Sequence, residues 1–139
     1  MNQRAAEPVV FALLGTAHAV EARLEEALET VGLSLAKAGL LRVLAEAGEP
    51  LALSELAQHQ KCVRSNITQL VDRLEKDGLV RRRADPVDRR SVRAGLTPAG
   101  RRAHAKANQA LADAQRTIME GLGAGQADSL KSALEALGR

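Results

Sequence analysis

Apolar residues recur every three or four positions along most of this chain, and glycine or proline interrupts the pattern at intervals. From about Pro8 to Val31 the stripe is Val10, Leu13, Leu14, Ala17, Val20, Leu24, Ala27, Leu28 and Val31. That spacing is one face of a helix, and Gly32 stops it. A second helix is expected from the N-cap residue Ser34 to Ala47, before Gly48 and Pro50. Leu51, Ala52 and Leu53 form a short extended entry, and Ser54 is the expected cap of a third helix reaching Gln60. A fourth helix is expected from Val63 to Asp77, with Ile67, Leu70, Val71 and Leu74 at i, i+3, i+4 and i+7. Gly78 stands just past its end, in the C′ position where glycine commonly stops a helix. Two strands, Val80–Ala84 and Val92–Leu96, flank the turn DPVDRRS. Thr97-Pro98 then reads as an N-cap with proline at the first helical position. The fifth helix continues to about Leu122 through Ala103, Ala107, Ala110, Leu111, Ala114 and Ile118. A last helix carries Ala127, Leu130, Ala133, Leu134 and Leu137.

The fourth helix has a second face that the apolar stripe leaves over. It carries Arg64, Ser65, Asn66, Thr68, Gln69 and Arg73. These side chains can pair with phosphates and with base edges. The ribbon behind it holds Arg81, Arg82 and Arg83 on one strand and Arg89 and Arg90 in its turn. Strands alternate their side chains, so Arg81 and Arg83 share one face and Arg82 takes the other. A polar-faced helix followed by an arginine-rich ribbon is the pattern of a winged helix-turn-helix, and it points to duplex DNA. The fold class is therefore mainly α with a small β-wing. The chain is read as one domain, 1–139, in which residues 34–97 form the winged unit. The helices at 8–31 and 98–137 hold more apolar surface than that unit needs. They are expected to pack on each other and on a second copy of the chain, as dimerisation helices; small residues along the fifth helix permit close approach.

Charge sharpens this picture. The net charge is only +3, but residues 61–106 hold 13 Lys/Arg against 5 Asp/Glu, a balance of +8. Residues 1–60 come to −4 and residues 107–139 to −1. The positive charge is thus confined to the stretch that carries the motif, which suits a polyanion on a defined surface. Phe11 is the sole aromatic residue. Single strands and RNA are usually gripped by several stacking aromatics, so those ligands are disfavoured. One cysteine excludes an intrachain disulfide and suits a reduced, cytoplasmic setting. The apolar run near the start is short, is interrupted by Gly15 and Thr16, and continues its helical spacing through Val20, Leu24 and Leu28. It does not read as an export signal, and no run approaches the length of a membrane span.

The order of elements resembles the multiple-antibiotic-resistance regulator (MarR) family. The matching stretches are LSELAQ (53–58), SNITQLVDRLEKDGLVRR (65–82), DPVDRRS (85–91) and LTPAG (96–100). The resemblance implies a homodimeric transcription regulator, usually a repressor, that binds a near-palindromic operator in double-stranded DNA and responds to a small-molecule effector or to redox state. It implies that the fourth helix enters the major groove, with Arg64, Ser65, Asn66, Thr68 and Gln69 as base or phosphate contacts. Arg73 would tie the helix to the wing or to the DNA backbone. At the wing tip, Asp88 would brace the loop through an ion pair, Arg90 would enter the minor groove and Arg89 would meet a flanking phosphate. One departure concerns the turn before the fourth helix. Lys61 and Val63 stand where similar proteins often carry a glycine and a Ser/Thr cap, and valine cannot cap.

Other residues invite other chemistry. Cys62 has two readings: an apolar plug for the turn, or a redox-responsive thiol whose pKa Lys61 and Arg64 would lower. His18, His59 and His104 are too scattered for a metal motif, and no cofactor is implied. Asp85 and Asp88 sit in a turn, where Asp85 before Pro86 is a turn-former rather than half of a catalytic pair. There is no nucleophile–base grouping and no phosphate loop, so an enzyme is not expected. By analogy with the family, an effector pocket would lie between the dimer helices and the winged unit, with Phe11, His18 and His104 as lining. The other class of function left open is a protein-interaction module on a winged-helix scaffold, against which the basic wing argues.

Overall fold

The computed structural model describes residues 3–60 and 64–139, with side chains described outside 3–7 and 64–65. The elements are α1 (Gln3–Glu29), α2 (Leu35–Ala47), β1 (Leu51–Ala52), α3 (Leu53–His59), α4 (Arg64–Lys76), β2 (Val80–Ala84), β3 (Val92–Leu96), α5 (Pro98–Met119) and α6 (Gln126–Leu137). The three strands form one antiparallel sheet in the order β1-β3-β2. Among the described residues no helix is long and apolar enough to cross a membrane.

The core lies where α2, α3, α4 and the sheet meet the end of α1 and the middle of α5. Leu28, Leu40, Leu41, Leu56, Ile67, Val71, Leu74 and Ala94 are wholly enclosed, and Val80 and Ala107 almost so. The stripe expected on the fourth helix is therefore its core face, with Leu70 packed at the margin. Each aliphatic side chain buried this way contributes about 1.5–3 kcal/mol relative to exposure.

Local chemistry accounts for the ends of the elements. Ser34 accepts the Lys37 N–H and caps α2, and Thr97 accepts the Gly100 N–H and caps α5. After α4, the Leu79 N–H reaches the Leu74 carbonyl and the Gly78 N–H reaches that of Glu75, both at 3.0 Å. This pairing needs a left-handed residue at the turn, and Gly78 supplies it with φ +76°. The tight stop aims β2 back along α4.

Two expectations about helix starts are corrected. Ser54 does not cap α3. The helix begins at Leu53, with Ala52 as its uncapped N-terminal neighbour. Leu51 and Ala52 pair with Ala94 and Arg93 of β3, and Leu53 is drawn into the core, so the chain passes from strand to helix before Ser54 is reached. α1 begins at Gln3, ahead of Pro8, which lies inside it. The expected start of the fourth helix at Val63, and the turn carrying Lys61, fall outside the described residues.

Much of the apolar surface at the chain ends is open. Val9, Val10, Phe11 and Leu14 of α1 are exposed, as are Leu130, Leu134 and Leu137 of α6. Only the C-terminal part of the α1 stripe, around Leu28, is enclosed.

Candidate nucleic-acid interface

The face of α4 opposite the core is set by the same helical spacing that buries Ile67, Val71 and Leu74. It exposes Asn66, Gln69 and Arg73, at i, i+3 and i+7. With Ala36 and Gln60 they line a shallow concavity of about 390 Å³ between α2, the end of α3 and α4. Of the residues expected to contact DNA, the structure brings these three together. Thr68 is half-buried, and its carbonyl oxygen accepts from Arg82 Nη2 at 3.3 Å. Arg64 and Ser65 lie in the first turn of α4, and their side chains are outside the described residues, as is Cys62.

The wing is β2, the turn 85–91 and β3, paired from Val80↔Leu96 to Ala84↔Val92. Its turn is held by two aspartates. Asp85 Oδ1 accepts the N–H groups of Val87 (2.8 Å) and Asp88 (3.2 Å), while Oδ2 pairs with Arg93 Nε at 2.9 Å. The Val87 N–H, then the Arg93 guanidinium and the Asp88 N–H, hold the Asp85 carboxyl below its usual range. Arg93 also donates to the Pro50 carbonyl at 3.3 Å, which anchors the wing to the segment before β1. Asp88 braces the loop differently from the expectation. Its carboxylate accepts the Arg90 N–H at 3.0 Å, and the ion pair is made by Asp85. The reason is position: Asp85 is opposite Arg93 at the mouth of the hairpin, whereas Asp88 sits at its tip with its carboxylate turned to the backbone. Arg89 and Arg90 are exposed, and among the described residues neither side chain has an ionic partner.

Strand alternation divides the three arginines of β2. Arg81 and Arg83 are exposed on one face, without an ionic partner among the described residues. Arg82 turns to α4, where it pairs with Asp72 and with Glu75 (3.3 Å), and its own N–H donates to Glu75 Oε2 at 2.9 Å. The tie between helix and wing expected of Arg73 is thus made by Arg82. Arg73 lies on the open face of α4 and has no such partner among the described residues. Arg82 and Asp85 are not among the contact residues that the resemblance implies, although the alternation of β2 and the acids at 72 and 75 together point to the first.

The three residues expected to line an effector pocket are not assembled within one chain. Phe11 and His18 lie on exposed stretches of α1, where His18 Nδ1 bonds to the Leu14 carbonyl. His104 borders a cavity of about 400 Å³ that Leu44, Pro50, Arg83, Leu96 and Arg101 also line. Its Nε2 is 3.2 Å from the Asn108 amide, and its Nδ1 is enclosed without a partner among the described residues.

A short helix pair, a polar-faced helix and a basic β-ribbon define a winged helix-turn-helix. The MarR family model matches residues 33–92. A protein of Thauera aromatica described as a transcriptional regulatory protein for the hcr operon is 35% identical over 104 residues, covering 67% of this chain and 62% of that one. YsmB of Bacillus subtilis, a helix-turn-helix-type transcriptional regulator, is 42% identical over 62 residues, 45% of this chain and 42% of that one. The chain spans less than two thirds of the length of these curated relatives. Among solved structures, the transcriptional repressor CouR of Rhodococcus jostii RHA1, bound to a 23-mer DNA duplex, is 29% identical. It superposes with a TM-score of 0.87 over 99% of this chain and 96% of that one. The family whose model matches the winged unit, and the similar structure named above, are thus transcription regulators of the MarR type.

Proposed function

We propose that this protein is a homodimeric, cytoplasmic regulator that reads a near-palindromic operator in double-stranded DNA and acts as a repressor released by a small-molecule effector. The observation that carries the reading is the pairing, on one winged unit, of an open polar face with a wing whose Arg81, Arg83, Arg89 and Arg90 have no ionic partner among the described residues. Asn66, Gln69 and Arg73 would read or grip the major groove, with Arg64, Ser65 and Thr68 beside them. Arg90 would enter the minor groove, where an arginine senses groove width more than base identity, and Arg89 would meet a phosphate. Asp88 would set their backbone. CouR, the similar protein solved on DNA, supports the partner by analogy.

Dimerisation is supported by the open apolar faces of α1 and α6. Phe11 is 72% exposed and Leu137 65%. In this proposal residues 34–97 are the DNA-reading unit, and 8–31 and 98–137 hold two copies together. Two recognition helices on the same side of the duplex would lie about one turn apart, so half-site centres would be roughly 10 bp apart. An effector held between the dimer helices and the winged unit would change that distance; His104 and its cavity are the part of such a pocket one chain supplies.

The test is selection from a random duplex pool at near-physiological salt, followed by sequencing. The expected result is an inverted repeat with half-sites one turn apart. A folded protein that enriches no sequence would refute the proposal.

A further inference from the structure

We propose that Arg82 is a positioning residue for sequence reading: it sets the angle between α4 and the wing and makes no contact with DNA itself. The inference rests on the DNA-reading proposal above. Three residues of α4 face the Arg82 guanidinium on successive turns, namely the Thr68 carbonyl, the Asp72 carboxylate and the Glu75 carboxylate. Nη2 serves the first two and Nη1 the third. The backbone N–H of Arg82 adds a fourth bond, to the other oxygen of Glu75. One strand residue is therefore fastened along two turns of the helix. Its neighbours Arg81 and Arg83 point away and keep their charge for the outside.

Reading two grooves at once requires that α4 and the wing tip keep a fixed separation. The Thr68 carbonyl belongs to the peptide that leads into Gln69, so Arg82 grips α4 at the segment that faces the bases. The fork matters as well as the charge. A planar guanidinium reaches several acceptors at defined angles, and an ammonium on a lysine stem does not. The two ion pairs are partly exposed, with Arg82 at 27%, Asp72 at 47% and Glu75 at 41%. Such pairs add little to global stability. The wing keeps its other anchors, the Asp85–Arg93–Pro50 link and the buried Val80 and Ala94. Loss of Arg82 therefore loosens the angle and leaves the hairpin folded.

The experiment compares the wild type, Arg82→Ala, Arg82→Lys and the double variant Asp72→Asn/Glu75→Gln. Affinity is measured for the selected duplex and for a random-sequence duplex over a range of salt, with thermal melting alongside. Arg82→Ala is expected to lose about tenfold on the selected duplex and little on the random one, with the salt slope unchanged. Arg82→Lys should fail to restore the preference. The double variant, which keeps the Arg82 charge and frees it, should lose the preference too. An equal loss on both duplexes with a salt slope smaller by about one would make Arg82 a phosphate contact and overturn the inference. Full preference in the double variant, or rescue by lysine, would overturn it as well. If Arg82→Ala fails to fold, Arg82 is structural in the first place and the inference is lost, unless the folded lysine and double variants show the stated loss of preference. A wild type without preference for any duplex would overturn the DNA-reading proposal and this one with it.

Discussion

Replacing Gly100 with alanine should destabilise the protein, although alanine is the better helix former. Gly100 is buried in the first turn of α5. A Cβ there would overlap the Leu79 carbonyl oxygen, and would stand 3.0 Å from the Leu79 carbonyl carbon and 3.2 Å from Leu96 Cδ2. The obstacle is backbone and cannot rotate aside. Leu79 or the start of α5 must move, and the movement disturbs a joint of three bonds. Thr97 N–H donates to the Leu79 carbonyl at 3.1 Å, its hydroxyl donates to the Gly78 carbonyl at 2.7 Å, and the Thr97 hydroxyl oxygen accepts the Gly100 N–H at 3.0 Å. Helix propensity favours alanine by about 0.5–1 kcal/mol. Overpacking costs about 1–3 kcal/mol, and a strained or lost hydrogen bond adds about 1 kcal/mol each. The balance is a loss of roughly 2–3 kcal/mol. For a chain of 139 residues that is a fall in Tm of about 6–12 °C. Urea unfolding followed by circular dichroism, with thermal melting beside it, reads both quantities. A Gly100→Ala protein as stable as the wild type would refute the steric argument. It would mean that the joint between the wing and α5 yields at no cost.

Three further outcomes are expected. Arg90→Ala should weaken duplex binding at least tenfold while leaving melting and oligomeric state unchanged, because its side chain is exposed and has no ionic partner among the described residues; unaltered affinity would remove Arg90 from the interface. Gln69→Ala should relax the preference among sequences more than it lowers affinity for random duplex, and an equal fall on both would make Gln69 a backbone contact. Asp85 gives a pH signature. Its carboxyl is held below the usual range in the folded hairpin, so its contribution is complete above the ordinary carboxylate value and is lost as pH falls through the lowered one. The Val87 and Asp88 amides should therefore lose protection from exchange only in strong acid, and Asp85→Asn should abolish that step; a step that persists in the variant would assign it to another group.

The regular elements were legible because local chemistry and the global fold agree in this chain. The spans of β2 and β3 are those expected, since hydrophobic alternation at Val80 and Leu96 and the Asp-Pro turn all point to one hairpin. Ser34 and Thr97 cap where a hydroxyl precedes a helical stripe. What escaped depends on partners distant in sequence. Ser54 has the composition of a cap, but pairing of Leu51 and Ala52 with β3 decides where α3 starts. Asp88 and Asp85 are alike in composition; only the strand register shows that Asp85 is the one opposite Arg93. The resemblance assigns the tie between helix and wing to Arg73, whereas Arg82 makes it, because Arg82 lies on the face of β2 that meets α4. The open face of α4 is legible from its periodicity, yet the half-buried position of Thr68 is not, because burial depends on neighbours distant in sequence.

The position of β2 at the edge of its sheet has a consequence for solubility. An edge strand presents unpaired backbone groups on which a strand of another molecule can grow, and long, flat, uncharged edges invite aggregation. Here the strand is five residues long and three of them are arginines. Its middle amide, that of Arg82, is already occupied by Glu75. A molecule approaching this edge finds charge repulsion at Arg81 and Arg83 and a blocked amide between them. Exchanging these arginines for valine or isoleucine would raise strand propensity and, in the same stroke, open a template for fibrous assembly.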